Sequence, residues 1–160
     1  MNSSLKSPSV SLKIRQIEFR THVHNTESVE KVKNSFLKLI PEEILHDLIQ
    51  ISNCTGAFNQ KILDLFINLK IQKSIQDVIG KIGRILSKED KIRLSSSFEN
   101  RLDDKLKFYF RLDKQFLALG ILKLAERNDV IQVSIAVQNK SHSPITSEDI
   151  KKYFKDLNLL

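Results

Sequence analysis

The sequence predicts an α+β fold: a two-layer sandwich whose mixed or antiparallel sheet of four to five strands is covered on one face by two main helices. Three observations lead there. Several segments alternate apolar and polar residues, the period of strands with one face in a core and one in water. Two other segments repeat apolar residues at helical spacing. A chain of 160 residues, 41% hydrophobic and 28% charged, has the size and composition of one closed core.

Taken in order, the first strand is expected over 16–24. Ile17, Phe19, Thr21 and Val23 alternate there with Gln16, Glu18, Arg20, His22 and His24. Leu12 and Ile14 fall on the opposite parity, so either a bulge sits near Arg15 or pairing begins after it. A helix follows, with Thr26 as N-cap, Glu27 and Glu30 favouring the positive helix start, and Val29, Val32, Phe36, Leu37 and Ile40 as its apolar stripe. Pro41 ends it. Glu43–Ser52 suits either helix or strand. It is read as a strand because Asn53–Gln60 resembles a hairpin loop and Lys61–Ile71 alternates as a strand.

A second helix is predicted from Ser74 as N-cap to Leu86, on Ile75, Val78, Ile79, Ile82, Ile85 and Leu86. Gly80 and Gly83 inside it would allow close packing on the sheet. Ser87 followed by Asp90 signals a new N-cap and a short helix to about Ser95. Residues 105–112 form the sharpest strand pattern: Leu106, Phe108, Phe110 and Leu112 face one way, Lys105, Lys107, Tyr109 and Arg111 the other. Asp113–Leu119 is a turn or short helix, capped by Asp113. The last strand runs Val130–Gln138, and Ser147–Leu157 forms an amphipathic helix on Ile150, Tyr153, Phe154 and Leu157. The expected organisation is a disordered tail over 1–9, a domain over 10–140, and a C-terminal segment 141–160 whose helix packs on or near it.

Composition narrows function. No run of about 18 apolar residues provides a transmembrane helix. The Ser-rich opening, Met1–Ser9, has no apolar core of a signal peptide, and the expected compartment is the cytoplasm. A single cysteine, Cys54, excludes an intramolecular disulfide. The net charge of +7 points toward a polyanionic partner.

Phosphate-loop, nucleophile-elbow, dinucleotide and zinc-protease motifs are absent. Asp103, Asp104 and Asp113 are the nearest carboxylate set, and the first two read as the start of a strand. His22 and His24 point the same way, but two ligands do not define a zinc site. No cofactor, no metal and no catalytic residue are therefore expected.

The basic residues are better placed. Lys105, Lys107 and Arg111 stand with Tyr109 on one strand face, about 6.5–7 Å apart. That spacing is close to the distance between successive phosphates of a nucleic-acid strand, and Tyr109 is suited to stacking on a base. Arg20, His22 and His24 share another polar strand face. Lys114 and Gln115 add polar groups at a strand end. Lys73, Lys81, Arg84, Lys88 and Lys91 form a basic stripe on the second helix, the ordinary surface of a helix.

Three stretches carry a family resemblance: Phe19 to Glu27 (F-R-T-H-V-H-N-T-E), Tyr109 to Gln115 (Y-F-R-L-D-K-Q) and Asp129 to Val133 (D-V-I-Q-V). Over about residues 14–138 the chain resembles an archaeal family of predicted RNA-binding, exosome-associated proteins. The resemblance implies a fold similar to the ribosomal protein that binds five-S RNA, a non-enzymatic role in RNA processing or ribosome-related assembly, and RNA, with exosome or ribosomal proteins, as partners. The loop Asn53–Gln60 departs from the family's pattern, being poorer in Gly and His. The expected function is binding of structured RNA, mainly by phosphate contacts from a basic sheet face through Arg20, His22, His24, Lys105, Lys107, Tyr109, Arg111, Lys114 and Gln115. The alternative is a protein–protein adaptor in an RNA-processing complex.

Overall fold

The computed structural model describes residues 11–160; the tail expected over 1–9 lies outside them. Among the described residues there are five strands: β1 (Leu12–Val23), β2 (Ile49–Thr55), β3 (Lys61–Leu69), β4 (Lys107–Asp113) and β5 (Val130–Asn139). They form one sheet in the order β2-β3-β1-β5-β4, every pairing antiparallel. The α+β sandwich expected from the alternation is the fold observed.

One face of the sheet is the core. Ile17 and Phe19 of β1, Leu65 and Ile67 of β3, Phe108 and Phe110 of β4, and Ile131, Val133 and Ile135 of β5 are all buried. Helices α1 (Val29–Phe36) and α3 (Gln72–Ile85) join that core through Val32, Phe36, Ile75, Val78, Ile79 and Ile82. The shorter α4 (Lys88–Ser96) adds Leu94 to the core, and α5 (Phe98–Arg101) and the C-terminal α7 (Ser147–Asp156) build an aromatic cluster with β4. Phe98 stacks on Phe108 at 5.0 Å between ring centres, and Phe154 meets Phe108 edge-on at 5.1 Å.

The differences from the sequence reading have physical causes. β1 starts at Leu12, and a register shift between Ile14 and Gln16 reconciles the two parities: a bulge is present near Arg15. The N-cap of α1 is Ser28, whose side chain accepts from the Lys31 N–H, two residues beyond the expected Thr26. The segment read as a strand over 43–52 divides into α2 (Glu42–Leu48) and β2. Pro41 precedes α2, where its missing N–H costs nothing, and Glu42 and Glu43 fill the first turn. Strand β2 then reaches Thr55, well into the expected loop.

The chain leaves β3 at Leu69, and α3 begins at Gln72 with Ser74 already inside it. Gly83 does make a close approach, but not to the sheet. A Cβ there would lie 2.9 Å from the Asn158 carbonyl oxygen of the C-terminal segment, whereas one at Gly80 would meet nothing within 4 Å. Finally, β4 begins at Lys107. Leu106 has φ 61° and Lys105 lies in the turn before the strand, outside the ladder.

Candidate nucleic-acid interface

The second face of the sheet carries the polar residues of each alternation. Antiparallel register lines them up across all five strands. Gln50 pairs with Phe66, Phe66 with Arg20, Arg20 with Gln132, and Gln132 with Arg111. The neighbouring row runs Asn68, Glu18, Ser134, Tyr109. Gln50, Arg20, His22, Gln132 and Arg111 are exposed; Phe66 and Tyr109 are half-buried. The face is thus a strip of amides and guanidiniums with two partly exposed rings.

Charge on this face is unevenly compensated. Arg20 forks Asp64, with Nη2 donating to Oδ2 at 2.8 Å and Nε to Oδ1 at 3.1 Å. The hydrogen bond and charge of Asp64 hold the Arg20 guanidinium above its ordinary pKa. His22 Nδ1 also faces Asp64, at 3.6 Å. Lys107 Nζ lies 3.9 Å from Glu18. Lys105 and Arg111 are exposed; Lys105 bonds only through its backbone N–H, and neither side chain has an ion-pair partner among the described residues. Arg111 on β4 and Lys105 in the turn before it are therefore uncompensated cations at this edge of the face.

Tyr109 is more constrained than a free stacking residue. Its hydroxyl donates to Asp103 Oδ2 at 3.0 Å, and burial together with that carboxylate raises its pKa. Burial alone would raise the Asp103 carboxyl. Hydrogen bonds from the Lys107 N–H, the Tyr109 hydroxyl and the Lys105 N–H outweigh it and hold the group below the usual carboxylate range. The turn before β4 is thereby fixed, and with it the direction of Lys105.

Lys114 is not an available phosphate ligand. It is buried, and Nζ donates to the His22 carbonyl, to Glu27 Oε2 at 2.7 Å and to Asp129 Oδ1 at 3.3 Å. Gln115 Nε2 donates to the other oxygen of Asp129 at 3.1 Å. Asp113, as expected, caps the following α6 (Lys114–Ala118) by accepting from the Phe116 N–H at 3.0 Å. His24 is exposed, with its backbone N–H on Glu27. The three stretches that carry the family resemblance meet in this knot, which ties β1, β4 and the start of β5 together. Part of what looked like a binding signature is a structural lock.

Sequence reasoning missed Phe66, Gln132 and Arg101. Phe66 occupies a polar-parity position in β3, a signal present in the alternation. Arg101, on α5, is placed by tertiary structure alone: its Nε donates to Ser97 Oγ at 2.7 Å and it reaches the Tyr109 carbonyl at 3.5 Å. Among the described residues no three His, Cys, Asp or Glu side chains converge as metal ligands.

The chain is thus an α+β domain with one polar sheet face open, and comparison with known proteins gives its family. The profile of an RNA-binding family matches residues 16–137, and the chain belongs to that family. It is 35% identical over 129 residues to the RNA-binding protein PAB1135 of Pyrococcus abyssi, covering 79% of this chain and 84% of the relative. Its fold is similar to that of protein AF2318 of Archaeglobus fulgidus, described as DUF54, with TM-score 0.74 at 25% identity over 91% of this chain and 99% of that one. The DUF54 protein Mth689 of Methanothermobacter thermautotrophicus shares the fold, with TM-score 0.72 at 21% identity over 90% and 97% of the two chains.

Proposed function

We propose that this protein binds structured RNA on the open face of its sheet, without catalysing a reaction on it, and that it serves RNA processing or ribosome-related assembly. The observation that carries the reading is the row Arg20, Gln132, Arg111 across three adjacent strands, flanked by Phe66 and Tyr109. Lys105 and Arg111 supply phosphate contacts at one edge, and Arg20 and Lys107, tethered by Asp64 and Glu18, supply weaker ones. Membership of an RNA-binding family supports the same ligand class. Exosome or ribosomal proteins are the partner class that the role implies.

Phosphate neutralisation makes affinity fall with salt, by about 0.7 log units per contact and per log unit of salt on single strands and about 0.9 on duplex DNA. The triple substitution of Lys105, Lys107 and Arg111 to Gln is expected to make the slope shallower by roughly two units. The matched triple at Lys81 and Arg84 on α3 and Lys88 at the start of α4 is expected to leave it unchanged. Equal losses from both triples, or no binding by the wild type at low salt, would reject the sheet face as the site.

An adaptor role has one observation in its favour. Among the described residues strand β2 is an edge paired only with β3, and Ile51 on it is 41% exposed. Such an edge accepts a partner strand. Co-purification of partner proteins that survives ribonuclease treatment and is abolished by Ile51→Lys would favour this reading over RNA binding.

A further inference from the structure

At the β4 edge of the open face lies a cleft of about 450 Å³. Its donors are Arg93 of α4, Asn100 and Arg101 of α5, Arg111 of β4 and Gln132 of β5, with Tyr109 in its wall. Three guanidiniums from three separate elements thus converge on one space. Arg93 is offset at the rim by Asp90 at 3.4 Å and Glu126 at 3.3 Å. Arg101 and Arg111 have no carboxylate partner among the described residues. Asp103 also lines the cleft, but its oxygens accept from the Tyr109 hydroxyl and the Lys105 and Lys107 N–H groups.

We infer that this cleft is an anchor for one nucleotide phosphate, gripped by Arg101 and Arg111, at the point where an RNA strand on the sheet reaches the β4 edge. The inference rests on the reading of the sheet face as the RNA platform and adds to it a defined site.

Folding leaves Arg101 in an unfavourable state that an anion would relieve. Burial, and then the charges of Arg93 and Arg111, pull its guanidinium below its ordinary pKa. Like charges held together in a part-buried cleft without a counter-ion are an arrangement that a bound anion stabilises. The guanidinium fork matches the paired oxygens of a phosphate. Arg101 is pre-oriented by Ser97 and the Tyr109 carbonyl, so little rotamer freedom is lost on binding. The volume exceeds a lone phosphate and lies within the range of small-ligand sites, so part of the attached ribose or base fits with it. Gln132 and Tyr109 belong both to the cleft and to the open face, which makes the two surfaces continuous.

The phosphate is either internal to the strand or at its end, and the assay separates the two. Fluorescence anisotropy would compare a structured RNA with short oligoribonucleotides bearing 5′-phosphate, 3′-phosphate or hydroxyl ends. Arg101→Gln is expected to weaken binding about tenfold and to make the salt slope shallower by about 0.7. Because Arg101 also braces its neighbours, Arg93→Gln is the second variant, expected to weaken binding about threefold and to lower the melting temperature by no more than about 4 °C, since Asp90 keeps the Leu124 N–H and the lost ion pairs are half-exposed. In the wild type, adenosine 5′-monophosphate is expected to shift the Nε–Hε NMR signals of Arg101 and Arg111 while adenosine leaves them in place.

A tenfold preference for a phosphorylated end assigns a terminal phosphate. Equal affinity for all ends, with the Arg101→Gln loss retained, assigns an internal one. If wild type binds RNA but neither variant alters affinity or slope, and the monophosphate shifts neither arginine, the anchor is wrong while the sheet-face reading stands. If the monophosphate shifts both arginines and no RNA binds, the sheet-face reading fails and the cleft remains a phosphate site.

Discussion

Replacing Lys114 with Met keeps the unbranched apolar stem of the side chain and removes its charged end. In the structure the Lys114 side chain is 4% accessible and its ammonium faces three acceptors, the carbonyl of His22 and the carboxylates of Glu27 and Asp129. Each charge-assisted hydrogen bond contributes about 1.5–3 kcal/mol net. The stranded carboxylates are partly relieved, since Glu27 and Asp129 retain 21% and 34% accessibility and can rehydrate. Breaking a buried pair costs about 3–5 kcal/mol, and this rehydration puts Lys114→Met near the lower end, at about 3 kcal/mol. At about 2–4 °C per kcal/mol for a chain of this size, the melting temperature should fall by about 6–12 °C. Urea denaturation followed by circular dichroism measures the loss. It should persist in high salt, because buried pairs are weakly screened. Lys105→Met, at an exposed turn, should stay within about 0.5 kcal/mol of wild type. A loss for Lys114→Met no larger than that of Lys105→Met would refute the lock.

Further perturbations test other parts of the fold. Gly80→Ala should stabilise by about 0.5–1 kcal/mol, since the helix interior gains propensity and the new methyl meets nothing, whereas Gly83→Ala should destabilise because its Cβ would press on the backbone of Asn158; thermal melts of the two variants should move in opposite directions. The Asp103 carboxyl has a depressed folded-state pKa, so its stabilisation is complete above the ordinary carboxylate pKa of about 3.9 and is lost as pH falls through the lower folded value. Asp103→Asn should therefore narrow the stability gap to wild type on acidification below about pH 4, and a gap that widens there would contradict the assigned hydrogen bonds. Phe66→Ala should reduce affinity for single-stranded RNA by about 1–3 kcal/mol with the salt slope intact if its ring stacks on a base, a separation that anisotropy titrations at several salt concentrations would resolve.

The architecture was readable because alternation in β1, β3, β4 and β5 reports directly which side of the sheet each residue occupies. The helix–strand division of residues 42–55 was not, because a short apolar run satisfies both periods and only Pro41 with its two glutamates signals the helix. The site was legible only in part. Strand periodicity placed Arg20, Tyr109 and Arg111 on the open face. It could not say that Lys114, one position into α6, turns inward to Glu27 and Asp129, because those partners lie 87 and 15 residues away in sequence. Arg93 and Arg101 are hidden for the same reason: ordinary helix-surface arginines in sequence, they meet Arg111 only once α4 and α5 close on β4.

The most direct test of the sheet-face reading is a two-dimensional ¹⁵N–¹H NMR titration with RNA at low salt. The expected perturbations fall on the amides of Arg20, Gln132, Ser134, Tyr109 and Arg111 and weaken together as salt is raised. Perturbations confined to α1 and α3, or none at any concentration of RNA, would contradict it.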